Sequence, residues 1–150
     1  MGTDVTRPGD FLLTINANES ENVTPGYWNH CAVFAGEDRV IEAQRDPGHV
    51  IVSYLPEFWQ RYPKILILRL KSPGSPALAD RMVQSANSLV GKDYRALVSR
   101  FKRLKRGEKK GENCVTVVRR AFRDAMDEDP GWKLPDDVAA DPRFVQIEGK

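Results

Sequence analysis

Apolar residues recur at a helical interval through GENCVTVVRRAFRDAM, residues 111 to 126. Cys114, Val117, Val118, Ala121, Phe122, Ala125 and Met126 stand at i, i+3, i+4, i+7, i+8, i+11 and i+12, which predicts an amphipathic helix with one buried face. Ala77 to Val90 carries a second such stripe, Leu78, Met82, Ala86 and Leu89 with Val83 and Val90 beside it, and Gly91 supplies a stop. Leu55 to Tyr62, LPEFWQRY, reads as a helical turn that packs Phe58 and Trp59 inward. Ala96 to Leu104 is partly helical, and Leu134-Pro135-Asp136-Asp137 starts a short helix. Between these lie β-like runs: Phe11 to Ile15, Tyr27 to Ala35, Arg39 to Gln44, Val50 to Tyr54 and Ile65 to Leu70, the last nearly all apolar and so expected to be central. Phe144 to Ile147 reads as a last strand or an extended arm. Asn16 to Gly26 is polar and rich in turn formers, and Lys71 to Pro76 is a break.

Strand parity connects two candidate polar residues. On the Tyr27 to Ala35 strand, His30, Ala32 and Phe34 share one face while Cys31, Val33 and Ala35 share the other. With Gly36-Glu37-Asp38 as a three-residue hairpin connection, Ala32 pairs with Glu42 and His30 with Gln44. His30 and Glu42 then become diagonal neighbours on one face. A two-residue loop puts them on opposite faces. A histidine beside a carboxylate can be a general base with its orienting group, or a structural pair on a wet sheet face.

Composition bounds the chemistry. The chain has 150 residues, 41% of them hydrophobic, enough for a single domain with its own core. Two cysteines make no disulfide framework. No CxxC or HxxxH spacing joins Cys31, Cys114, His30 and His49, so no metal or cofactor is called for. No apolar signal segment opens the given chain and no stretch reaches the length of a membrane span, so it reads as soluble and, by default, cytoplasmic.

The net charge of +2 is unevenly spread. Arg100, Lys102, Arg103, Lys105, Arg106, Lys109 and Lys110, against Glu108 alone, give this segment +6 and leave −4 on the rest. It is either a solvated loop or a patch for an anionic membrane surface or polyanion. Only Phe101 and Leu104 interleave with the charges, too little aromatic content for base stacking, so no specific nucleic acid partner is expected.

Cys114 opens the buried face of its helix, behind Asn113, a good N-cap residue. Free backbone N–H groups and the positive end of the helix dipole stabilise a thiolate there. The alternative is a small buried cysteine that fills core volume. Cys31 lies on the face away from His30 and reads as core.

Three pieces, in order, carry a resemblance. They are Gly9-Asp10 with an apolar strand, then Trp28-Asn29-His30 and an apolar run ending in Gly36; Val40-Ile41-Glu42-Ala43; and Gly91-x-x-Tyr94 followed by Glu112-Asn113-Cys114. Together they resemble the circularly permuted NlpC-type papain-like cysteine hydrolases, the YiiX-like amidases, more distantly related to lecithin–retinol acyltransferase. The resemblance spans roughly Gly9 to Ile147. It implies an α+β papain-like fold, with an antiparallel sheet of about five strands and the Cys114 helix packed against the His30 strand. It also implies Cys114 as nucleophile, His30 as its base, Glu42 as the residue orienting the imidazole, and an oxyanion site formed by the Cys114 N–H and the Tyr94 hydroxyl. Asn113 would flank the substrate cleft, and Trp28, beside His30, either walls that cleft or packs in the core. The chain departs from the pattern at Val115, where relatives more often carry a small hydroxyl residue, and in the long basic insert before Cys114.

The substrate expected from this chemistry is a peptide, an acyl-amino acid or a lipid ester, each of which presents a carbonyl to a thiolate and leaves through a thioester. Glu42, read as lying at a cleft rim, is expected to matter more for turnover than for folding. The rival reading is a catalytically inactive module of the same fold that binds an anionic membrane or polyanion through residues 100 to 110.

Overall fold

The computed structural model describes residues 3–15, 27–44, 48–71, 76–93 and 114–150. Six strands form one sheet: β1 (Phe11–Ile15), β2 (His30–Gly36), β3 (Arg39–Gln44), β4 (His49–Tyr54), β5 (Lys64–Leu70) and β6 (Phe144–Glu148). Their spatial order is β4-β3-β2-β1-β5-β6, and every neighbouring pair is antiparallel. The strand beyond the expected five is the tail segment, which pairs with β5 from Leu70↔Phe144 to Leu66↔Glu148. β5, expected to be central, is an inner strand one place from the edge; β1 and β2 hold the middle. Tyr27 to Asn29 precede β2 rather than opening it.

Among the described residues, four α-helices cover the sheet: α1 (Leu55–Arg61), α2 (Pro76–Ser88), α3 (Cys114–Met126) and α4 (Pro135–Ala139). The two sheet faces bury separate clusters, as alternating side chains require. Phe11, Leu13, Cys31, Val33, Ile41 and Leu68 pack beneath α2, α3 and Trp132. Leu12, Ala32, Phe34, Val40 and Ile67 pack with Leu55, Phe58 and Tyr62 from α1 and its exit. The helix stripe in α3 is buried as its period predicts, from Cys114 to Ala125, with Val115 also buried. Full burial of each apolar side chain contributes roughly 1.5–3 kcal/mol, so this face anchors α3 on the sheet. Met82 and Ala86 of α2 are buried, as is Leu89 just past its end, but Val90, expected beside the stripe, is exposed.

Gly9 and Asp10 serve the scaffold. Gly9 has φ +93, and a Cβ there would stand 3.1 Å from the Ala79 Cβ on α2. Asp10 is buried, takes a two-pronged ion pair from Arg69 at 2.9 and 2.7 Å and accepts the Arg7 N–H at 2.8 Å. Together they fix the entry to β1.

Candidate active site

The β2–β3 hairpin sets the site. Its turn is Glu37-Asp38, two residues with φ +52 and +58, and Gly36 pairs with Arg39. A two-residue turn by itself leaves His30 and Glu42 on opposite faces. The register shifts by one residue between Phe34 and Gly36, however, so Phe34 pairs with Val40 and Val33 with Ile41. The bulge at Ala35 therefore restores the pairing that a three-residue connection would give.

His30 begins β2 and is buried; Glu42, in the middle of β3, is fully buried. His30 Nε2 lies 2.7 Å from Glu42 Oε1. Gln44 Nε2 donates to the same carboxylate oxygen, while Ser53 Oγ and Arg61 Nη1 donate to Oε2, the latter at 3.0 Å. Glu42 is thus no residue of a cleft rim: it sits between the sheet and α1 with four donors around it. Sequence parity gave its face but not what α1 would bring onto that face. Burial by itself raises the Glu42 pKa, but the hydrogen bond and charge of His30, the Arg61 charge and the Ser53 hydroxyl reverse this, lowering it from 4.5 to about 2.

With Nε2 engaged by Glu42, the other ring nitrogen of His30 is left for Cys114. The two side chains share a hydrogen bond and shift each other in opposite directions. Burial disfavours the imidazolium, yet Tyr62, the Cys114 hydrogen bond and Glu42 outweigh it and hold the His30 pKa well above 6.5. Tyr62 stacks on the ring at 5.7 Å between centroids. A hydrogen bond from Cys31 is the largest influence on Cys114; it overcomes burial together with the His30 hydrogen bond and charge, so the thiol pKa falls well below 9.0. Cys114 also occupies the first turn of α3, at the positive end of the helix dipole. Both shifts favour a thiolate beside an imidazolium.

Cys31 is core, as expected, but the face it shares with α3 brings it to the nucleophile candidate. Its thiol donates to the Cys114 carbonyl oxygen at 3.2 Å. Burial and the proximity of Cys114 push the Cys31 pKa well up, so it remains a donor.

Trp28 is half-buried and packs on the α3-side core. The N–H groups of Tyr27 and Trp28 donate to Asp136 of α4 at 2.9 and 2.7 Å, which clamps the approach to β2. Trp28, Tyr27, Lys64, Leu66, Gln146 and Glu148 line a cavity of about 380 Å³. Tyr94, Asn113 and the basic residues from Arg100 to Lys110 lie outside the described residues. The segment leading to Tyr94 runs beside β4, with Gly91 N–H donating to Val50 O at 2.8 Å and Asp93 bridging to His49.

Arg61, Ser53 and Tyr62 escaped the sequence reading. A serine at the one buried polar position of β4, and an arginine at the end of an otherwise inward-packing turn, were the available signals.

A thiol at a helix start, hydrogen-bonded to an imidazole that is in turn held by a carboxylate, on an antiparallel sheet, defines the papain-like class. The chain belongs to the family of permuted papain-like amidase enzymes of the YaeF/YiiX type, peptidase family C92, whose model matches residues 5–132. Its fold is shared with the crystal structure of the metalloprotein yiiX from Escherichia coli O157:H7, at a TM-score of 0.74 and 15% identity, over 94% of this chain and 96% of that one. No curated protein matches it in sequence. Among the described residues of this chain, no group of three or more His, Cys, Asp or Glu side chains is arranged to hold a metal ion.

Proposed function

We propose that the chain is a thiol hydrolase in which Cys114, His30 and Glu42 cleave an amide or ester through a thioester. The single observation that carries this is His30, held at 2.7 Å by a buried, ionised Glu42 on one side and hydrogen-bonded to Cys114 on the other. The Cys114 sulfur attacks the carbonyl carbon, and the electron pair of the C=O moves to oxygen. The Cys114 N–H is a donor for that oxyanion, typically worth about 3 kcal/mol of barrier, and Tyr94 is the second donor in this reading. His30 gives its proton to the leaving amine or alcohol as the bond to it breaks. It then takes a proton from the attacking water, and the acid leaves as the thiol returns. The substrate is a peptide, an acyl-amino acid or a lipid ester.

Iodoacetamide at pH 6 tests the activated thiol without a known substrate. Cys114 should alkylate far faster than a model thiol, and His30→Ala should remove the difference; equal rates in the unmodified protein overturn the reading. Cys114-dependent turnover over a panel of peptide, acyl-amino-acid and lipid ester substrates then assigns the class.

A further inference from the structure

We infer that Arg61 is a positioning residue for the Cys114 and His30 pair, acting through Glu42 and Tyr62 without touching either member. This rests on the roles given above to Cys114, His30 and Glu42.

The geometry is specific. Arg61 Nη1 reaches the carboxylate oxygen of Glu42 that His30 does not use, at 3.0 Å, and the same nitrogen donates to the Tyr62 hydroxyl at 3.3 Å. Its guanidinium carbon lies 5.4 Å from the Tyr62 ring centroid and 5.6 Å from that of Phe58. Tyr62 in turn lies against the His30 ring, with 26° between the planes. One guanidinium therefore braces both groups that set the imidazole: its hydrogen-bond partner and the ring on which it stacks.

Charge balance gives the physical reason. A thiolate on Cys114, an imidazolium on His30 and a carboxylate on Glu42 sum to one net negative charge in a buried site, which is costly unless a cation answers it. The groups facing these three are Ser53 from β4, Gln44 from β3, Cys31 from β2, and Tyr62 and Arg61 from the end of α1. Among the described residues that face them, Arg61 is the only cation. Its side chain is 39% exposed, so water screens part of its field.

The test uses the pH dependence of Cys114 alkylation by iodoacetamide in the full chain, which needs no substrate. Without the cation, the net negative charge of the site goes unanswered, so the Cys114 thiolate is disfavoured and forms only at higher pH. Arg61→Met is therefore expected to move the acid limb of the profile up by about one pH unit, a fall of about tenfold in rate at a fixed pH on that limb. The rates should converge above pH 9, where the thiol ionises unaided. Arg61→Lys restores the charge, and one ammonium can serve both contacts that Nη1 makes, so it should recover the rate to within about threefold.

An Arg61→Met profile that overlays the parent overturns the inference, and so does an Arg61→Lys as slow as Arg61→Met. A parent whose Cys114 reacts like a model thiol at pH 6 instead overturns the proposed function, whatever Arg61 does. Should Arg61→Met fail to fold, Arg61→Gln, which keeps a donor but no charge, carries the same comparison.

Discussion

Glu42→Gln perturbs the site at its most crowded point. The carboxylate receives His30, Gln44, Ser53 and Arg61 on two oxygens. A glutamine amide offers one oxygen and turns an NH₂ toward donors, so at least one of these faces a mismatch and Arg61 loses its counter-charge. The magnitude follows from linkage. Glu42 titrates at about 2 in the fold against 4.5 ordinarily; at about 1.4 kcal/mol per unit, its ionised form contributes about 3 kcal/mol to stability. Because the folded pKa is depressed, that contribution is present in full above about pH 4.5 and lost as the pH falls through about 2. For a chain of this length it corresponds to a melting temperature lowered by roughly 6–12 °C at pH 7. Denaturant titrations of parent and variant between pH 7 and pH 3 should show the gap narrowing as acid is added. Turnover should fall about ten- to a thousandfold, a barrier increase of roughly 1.4 to 4 kcal/mol. Glu37→Gln, in the hairpin turn, is the matched control. A melting temperature at pH 7 unchanged by Glu42→Gln, or a gap independent of pH, refutes the reasoning.

Two predictions concern the scaffold. Phe122, fully buried with its ring tilted against those of Trp132 and Phe144 at 5.1 and 5.9 Å between centroids, should cost about 3–5 kcal/mol when truncated to alanine, measured by chemical denaturation. Gly9→Ala places a Cβ at positive φ against Ala79 and should destabilise by about 1–3 kcal/mol; an unchanged denaturation midpoint shows that the β1 entry relaxes freely.

The helix at Cys114, the strand at His30 and the shared face of His30 and Glu42 were legible because each depends on local period. The environment of Glu42 was not. Alternation says which face a residue occupies, but whether that face is wet or covered is decided by α1, thirteen residues further on, which closes over it with Phe58 and Tyr62. Arg61 and Ser53 reach the carboxylate only through that packing. The same limit applied to Cys31: its face was right, and its contact with Cys114 required knowing that α3 lies on that face. β6 was legible as an extended segment, while its pairing with β5 is a long-range choice that its sequence does not encode locally.

The bulge at Ala35 gives the β2–β3 hairpin a reading frame. Removing Ala35 itself leaves Gly36 opposite Arg39 and Phe34 opposite Val40, so His30 and Glu42 still meet. Removing any one residue from Cys31 to Val33 instead turns His30 toward the α3 face, away from Glu42. Drawing Ala35 into the ladder would bring His30 back, but only by turning over the core residues between them. Single-residue deletions in this hairpin are thus sorted by position: one at Ala35 is silent for the site, and those a few residues upstream exchange the faces on which its core and its chemistry stand.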